Sequence, residues 1–78
     1  MPTVRRIGPY RLHFYANDCR EPPHVHVERD DATAKFWLHP VRLQIARGFG
    51  RREINRLQAV VEAREERLLR SWNEYFKI

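Results

Sequence analysis

The chain has 78 residues, with one cysteine, 15 basic and 10 acidic side chains, and a formal net charge of +5. A chain of this length forms one small core, so we expect a single domain over residues 1–78. A lone cysteine excludes an intramolecular disulfide and is typical of a reducing compartment. The positive charge favours an acidic partner or nucleic acid, although the arginines are spread along the chain.

The sequence contains no apolar run of the length that a signal peptide or a membrane span requires. The chain opens with Met-Pro-Thr-Val-Arg-Arg, which lacks the apolar core of a signal peptide. No segment approaches the roughly 18 apolar residues of a spanning helix. These features predict a cytoplasmic protein without membrane contact.

Alternation of apolar and polar side chains predicts a small sheet between about residue 10 and residue 46. The predicted strands are residues 11–15, 24–29, 33–38 and, with a weaker pattern, 41–46. Turn-forming residues separate them: a polar connection at 17–23, a tight hairpin turn at Asp30-Asp31, and a break at His39-Pro40. The pattern therefore predicts three to four antiparallel strands.

The apolar spacing changes to that of a helix after residue 50. Ile54, Leu57, Val61, Leu68, Trp72 and Phe76 form one stripe, and no proline follows residue 50. Glu53 occupies the capping-box position, but Gly50 has no side chain to complete the box. The prediction is an α+β fold with one long C-terminal helix, at about residues 51–76, packed on one face of the sheet.

This predicted helix is longer than the sheet that it covers. About 25 helical residues span roughly 37 Å, whereas a six-residue strand spans about 20 Å. The end of the helix is apolar, with Leu69, Trp72, Tyr75 and Phe76. We expect this end to dock on another chain, for example in a homodimer, with folding back onto the domain as the alternative.

Two histidines and a glutamate occupy alternate positions in the second predicted strand. Residues 21–28 read EPPHVHVE, so His24, His26 and Glu28 share one face of a strand. The same polar face is predicted to carry Arg11, His13, Tyr15, Lys35 and Trp37. We therefore expect the imidazoles of His24 and His26 to project together from an open surface that the helix does not cover.

Two kinds of chemistry are open to these histidines. His24 and His26 could bind a divalent metal, helped by His13 or Glu28. They could instead serve as acid and base in RNA cleavage without a metal, with Lys35 stabilising phosphate charge.

Two kinds of binding are also open. Tyr15 and Trp37 could stack on single-stranded nucleic acid, and Arg51 and Arg52 could bind an anion at the N-terminus of the helix. A protein-binding module, with the rigid Pro22-Pro23 entry at its edge, makes the fewest demands on the sequence. The sequence does not decide whether the protein is an enzyme. A divalent metal is the one cofactor that the residues suggest.

Several blocks of the sequence together form a recognisable pattern. They are residues 14–15 (FY), 21–27 (EPPHVHV), 34–38 (AKFWL), 40–41 (PV), 48–49 (GF) and 72–76 (WNEYF). On these blocks the chain resembles the bacterial family called domain of unknown function 4160. Members of that family often have serine at the position of Gly50, so the helix cap is weaker here.

The resemblance implies a component of a two-protein module similar to a toxin–antitoxin pair. Its partner would be a small protein encoded nearby, with another domain of unknown function, number 2442. Together with the predicted polar face, the resemblance predicts that the protein binds a protein partner, with RNA or DNA as a further ligand. The alternatives are a metal-independent RNA-cleaving toxin that uses His24 and His26, and a metal-binding protein.

Overall fold

The computed structural model describes residues 3–15 and 19–77. Within these residues it contains a five-stranded antiparallel sheet and two C-terminal helices, which confirms the predicted α+β class. The strands are Thr3–Ile7 (β1), Tyr10–His13 (β2), His24–Arg29 (β3), Ala32–Leu38 (β4) and Val41–Arg47 (β5), and the helices are Arg51–Ala63 (α1) and Glu65–Phe76 (α2). Each strand pairs with its neighbour in the sequence, so the strand order in the sheet is the chain order.

The prediction of three to four strands is wrong because it omitted β1. Gly8, at φ 56°, and Pro9 form a two-residue turn that pairs Ile7 with Tyr10. Glycine is suited to a hairpin turn whose first central residue has positive φ. The second strand is also shorter than predicted, since β2 ends at His13. Residues 17 and 18, in the predicted polar connection, lie outside the described residues.

The prediction of one long helix is wrong because the helical segment is divided at Arg64. The backbone of Arg64 leaves the helical range, at φ −118° and ψ 15°. Its N–H donates a hydrogen bond of 3.0 Å to the carbonyl of Val61, three residues earlier. In an α-helix the acceptor lies four residues earlier. Within the described residues, neither resulting helix has the length and apolar content needed to cross a membrane.

The division at Arg64 lets α2 pack on the domain. Leu68 and Trp72 of α2 are buried in the same core as Leu57 and Val61 of α1. The strands contribute Leu12, Val25, Val27, Ala34, Phe36 and Leu38, and Phe14, which directly follows β2, completes this part of the core. The expected protruding helix end is therefore corrected to a packed one, and a homodimer through this helix remains a prediction.

A polar cluster joins the sheet to the start of α1. Glu53 accepts hydrogen bonds of 2.7 and 2.8 Å from Arg29 and one of 2.7 Å from the hydroxyl of Tyr10. No side-chain hydrogen bond caps α1 at Gly50. Glu53 therefore does not act in a capping box, and its carboxylate binds the sheet instead. Hydrogen bonds from Arg29 and Tyr10 lower the pKa of Glu53, and the bond to Glu53 raises the pKa of Tyr10.

This cluster predicts how stability depends on pH. Because the pKa of Glu53 is lowered in the folded state, its contribution is present above its unfolded pKa of about 4.3 and is lost as the pH falls through the folded value. Tyr10 has the opposite sign, since its raised pKa stabilises the fold below about pH 10 and less above it. We expect Glu53→Gln to flatten the acid limb of a plot of urea midpoint against pH. Glu74→Gln, at an exposed position of α2, is the control, and equal acid limbs in both variants would refute this role of Glu53.

Candidate functional site

Strand pairing assembles a row of polar side chains across the sheet. His13 of β2 lies opposite His26 of β3, and His26 lies opposite Lys35 of β4. Ile45 of β5 continues the row beside Lys35. Directly opposed residues of antiparallel strands share a face, with Cβ atoms about 4.5–5.5 Å apart. The prediction that His13 joins His26 on one face is therefore confirmed.

Aromatic rings pack together at one end of this row. The imidazoles of His13 and His26 stack at 5.6 Å between centroids, with 15° between their planes. Tyr15 meets them edge-on at 5.0 and 4.5 Å. His13 is 2% exposed, whereas Tyr15 is 40% exposed. Solvent therefore reaches this cluster through Tyr15 and the half-buried His26.

A shallow depression of about 110 Å³ lies over the row. We call it the polar-face depression. Its lining includes His13, Tyr15, His26, Glu28, Thr33, Lys35 and Ile45. Pockets that bind drug-sized ligands have volumes of roughly 300–1,000 Å³, so the depression is large enough only for a side chain or a similar small group.

His24 is fully buried, which corrects the expectation that it lies on an open surface. Its ring lies 5.1 Å from that of His26 and 5.6 Å from that of Trp37. Trp72 of α2 lies 5.1 Å from it. Nδ1 of His24 is 2.9 Å from the carbonyl oxygen of Pro22, a distance at which a protonated Nδ1 donates a hydrogen bond. Alternation placed His24 beside His26 but gave no sign that Trp72 would reach this end of the sheet.

Carboxylates pair with the cations of the polar face. The ammonium of Lys35 lies 2.5 Å from Glu21 and 4.8 Å from the ring centre of Trp37. The guanidinium of Arg11 lies 2.7 Å from Glu28. The polar face therefore carries mixed charge, with both signs at its rim, and is not a uniformly basic surface.

Arg51 and Arg52 lie away from this arrangement. Both are exposed in the first turn of α1, and neither lines the polar-face depression. An anion bound by these two arginines would therefore occupy a separate site, and such a site remains a prediction.

Metal binding by His24 and His26 remains a prediction. Among the described residues, no three histidine, cysteine or acidic side chains are grouped so that they could hold a metal ion. Two imidazoles that share an ion direct ring nitrogens at it, whereas His13 and His26 stack face to face.

Two-histidine catalysis is also disfavoured. An acid and a base must each come within hydrogen-bond reach of the substrate. His24 is 0% exposed and His13 is 2% exposed. Of the three histidines in this cluster, only His26 reaches solvent. A substrate could therefore contact two of them only after a conformational change that exposes His13 or His24.

The structure adds Glu21, Thr33 and Ile45 to the predicted site. The only sequence signal for Glu21 was its charge, opposite to that of Lys35. The sequence did not show that Ile45 lies on the polar face, because the register between β4 and β5 shifts between Lys35 and Phe36. Such a shift changes which face later residues occupy, so alternation alone assigns them incorrectly.

Comparison with known proteins identifies a family without assigning an activity. Neither a curated protein nor a solved structure matches the chain. The model of the family described as "Domain of unknown function (DUF4160)" matches residues 10–73. This segment includes the whole row of polar residues and most of α2. The chain belongs to the DUF4160 family, as the sequence blocks predicted.

Proposed function

We propose that this protein is a binding module of a two-protein system and that the polar face of its sheet contacts a small partner protein. The observation that carries the proposal is the exposed rim of the polar-face depression. Tyr15 and Ile45 are 40% and 46% exposed there, beside the half-buried His26. Aromatic side chains with a polar tip are enriched at the centres of protein interfaces.

The ion pairs around this rim support a protein partner. Lys35 with Glu21 and Arg11 with Glu28 present both charge signs within one surface. Mixed charges select a partner by complementarity and disfavour wrong partners by like-charge repulsion. The partner that we propose is the small protein encoded by the neighbouring gene, and together the two would form the toxin–antitoxin-like module in the cytoplasm.

Single-stranded nucleic acid is a second candidate ligand. The exposed ring of Tyr15 and the ammonium of Lys35 against Trp37 provide a stacking surface and a cation on one face. A phosphate would have to displace the carboxylate of Glu21 from Lys35 or that of Glu28 from Arg11. We rank RNA or DNA below a protein partner for this reason, and RNA cleavage lower still because His24 is buried.

The two exposed tyrosines provide a matched test. Tyr15 lies on the polar face and is 40% exposed, whereas Tyr75 lies on α2 and is 38% exposed. We expect Tyr15→Ala to weaken binding of the purified neighbouring gene product at least tenfold, as the loss of an interface anchor does. Tyr75→Ala should change the affinity less than threefold. Isothermal titration calorimetry measures both affinities, after thermal melts show that both variants fold.

Other results of this titration would move the interface or reject it. A larger loss for Tyr75→Ala would move the interface to the C-terminal helix, and unchanged affinity for Tyr15→Ala would reject the polar face. A parallel titration with single-stranded RNA tests the second candidate, because binding through phosphates weakens steeply with salt. Salt-sensitive RNA binding that requires Tyr15, with no binding of the gene product, would replace the protein partner by nucleic acid.

A further inference from the structure

The outer side of β5 offers backbone hydrogen-bonding groups to another chain. β5 lies at the end of the strand order, so among the described residues it pairs only with β4. In an antiparallel ladder, alternate residues of such an edge strand direct N–H and C=O groups away from the sheet. β5 has seven residues, Val41–Arg47, which extend over about 23 Å. The edge is therefore long enough to pair with a strand of ordinary length.

Exposed aliphatic side chains are concentrated on the same strand. Leu43 is 40% exposed and Ile45 is 46% exposed, and the other large apolar side chains exposed in the described chain are tyrosines. Leu43 pairs with the core residue Phe36, whereas Ile45 pairs with Lys35 on the polar face. The edge therefore presents an apolar side chain on each face of the sheet, and an added strand could cover both.

The charge of the edge indicates what kind of strand it would accept. β5 contains Arg42 and Arg47 and no acidic residue. Both arginines are exposed, and within residues 3–15 and 19–77 neither forms an ion pair with a carboxylate. A second copy of this chain, with its net charge of +5, would bring arginines against arginines. An acidic segment would instead place carboxylates beside them.

We propose that the outer edge of β5 accepts an acidic, extended segment of a partner protein as a sixth strand of the sheet. Backbone hydrogen bonds supply the attachment, as in other cases of strand addition. Carboxylates of the segment lie at Arg42 and Arg47 on the polar-face side, and its apolar side chains cover Leu43 on the opposite side. This site adjoins the polar-face depression at Ile45 but does not include Tyr15, and it does not depend on binding at Tyr15.

Three synthetic peptides test the proposal on the full chain. The first is a seven-residue peptide in which glutamate and valine alternate, with a fluorophore for polarisation measurements. The second replaces the glutamates with lysines, and the third replaces the central valine with proline, which keeps the charge but removes a strand hydrogen bond. We expect the glutamate peptide to bind at least tenfold more tightly than either of the others. If the proline peptide bound as tightly as the glutamate peptide, attraction between charges alone would explain the binding. That result would overturn strand addition.

Paired charge reversals locate the site. Arg42→Glu with Arg47→Glu should weaken the glutamate peptide at least tenfold. Arg67→Glu with Arg70→Glu makes the same change of net charge at exposed positions of α2 and should weaken it less than threefold. Equal losses in the two double variants would contradict the β5 site. Sedimentation of the protein alone that shows a dimer, which the peptide dissociates, would assign the edge to a second copy instead. Failure of peptide binding would leave the Tyr15 interface standing, because the test of that interface uses another ligand and a side chain outside β5.

Discussion

Replacing Trp72 with alanine is expected to lower the free energy of unfolding by about 3–5 kcal/mol, the range for large aromatic residues removed from a core. Trp72 is 2% exposed. Its ring lies 5.3 Å from Phe14, 5.1 Å from His24 and 4.4 Å from Phe76, between ring centroids. A domain of this size has a total stability of roughly 4–12 kcal/mol. The variant should therefore be largely unfolded at moderate urea concentrations.

Trp37 provides the matched control for Trp72. It is the other tryptophan of the chain and also contacts His24, but it is only partly buried. Urea titrations followed by circular dichroism should show a loss for Trp37→Ala that is less than half of the loss for Trp72→Ala. Equal losses would mean that α2 does not anchor the domain through Trp72, and they would also contradict the burial of His24 beneath Trp72.

Replacing His24 with alanine is expected to lower the free energy of unfolding by about 2–4 kcal/mol, as for other large buried side chains. The ring is 0% exposed, contacts Trp37 and Trp72, and lies in hydrogen-bond range of the carbonyl of Pro22. The substitution removes these contacts and leaves the carbonyl of Pro22 without this partner. Chemical denaturation of the variant measures the loss.

His26→Ala is the comparison that separates structural from binding roles. His26 is half-buried at the rim of the polar-face depression, so its removal should cost about 1 kcal/mol or less in stability. It should instead reduce the affinity for the partner. If His24→Ala left stability unchanged and abolished partner binding, His24 would be a functional residue and its assignment to the structure would be wrong.

The sequence predicted those parts of the fold in which one local pattern repeats. Alternation located the body of every strand from β2 to β5, and helical spacing located both helices as one segment. The division at Arg64 left a trace that is visible in retrospect: the apolar stripe has no member between Val61 and Leu68. Charged residues fit a continuous helix as well as a broken one, so this gap alone could not decide the matter.

The missed features depend on contacts between distant segments. β1 is short and contains Arg5 and Arg6, so its strand character comes from pairing across the Gly8-Pro9 turn. The burial of His24 depends on Trp72, which lies 48 positions further along the chain. Hydrophobic patterning assigns a face to each residue but does not show which part of that face another element covers.

We propose that Tyr15 and His26 mark a binding surface, whereas His24 supports the fold. Chemical-shift mapping of the ¹⁵N-labelled protein, titrated with the unlabelled neighbouring gene product, tests it most directly. We expect the largest changes at the amides of His13, Tyr15, His26 and Lys35, and small changes over residues 65–76. Changes confined to residues 65–76, or no changes at a saturating concentration of the partner, would contradict a binding surface at Tyr15 and His26.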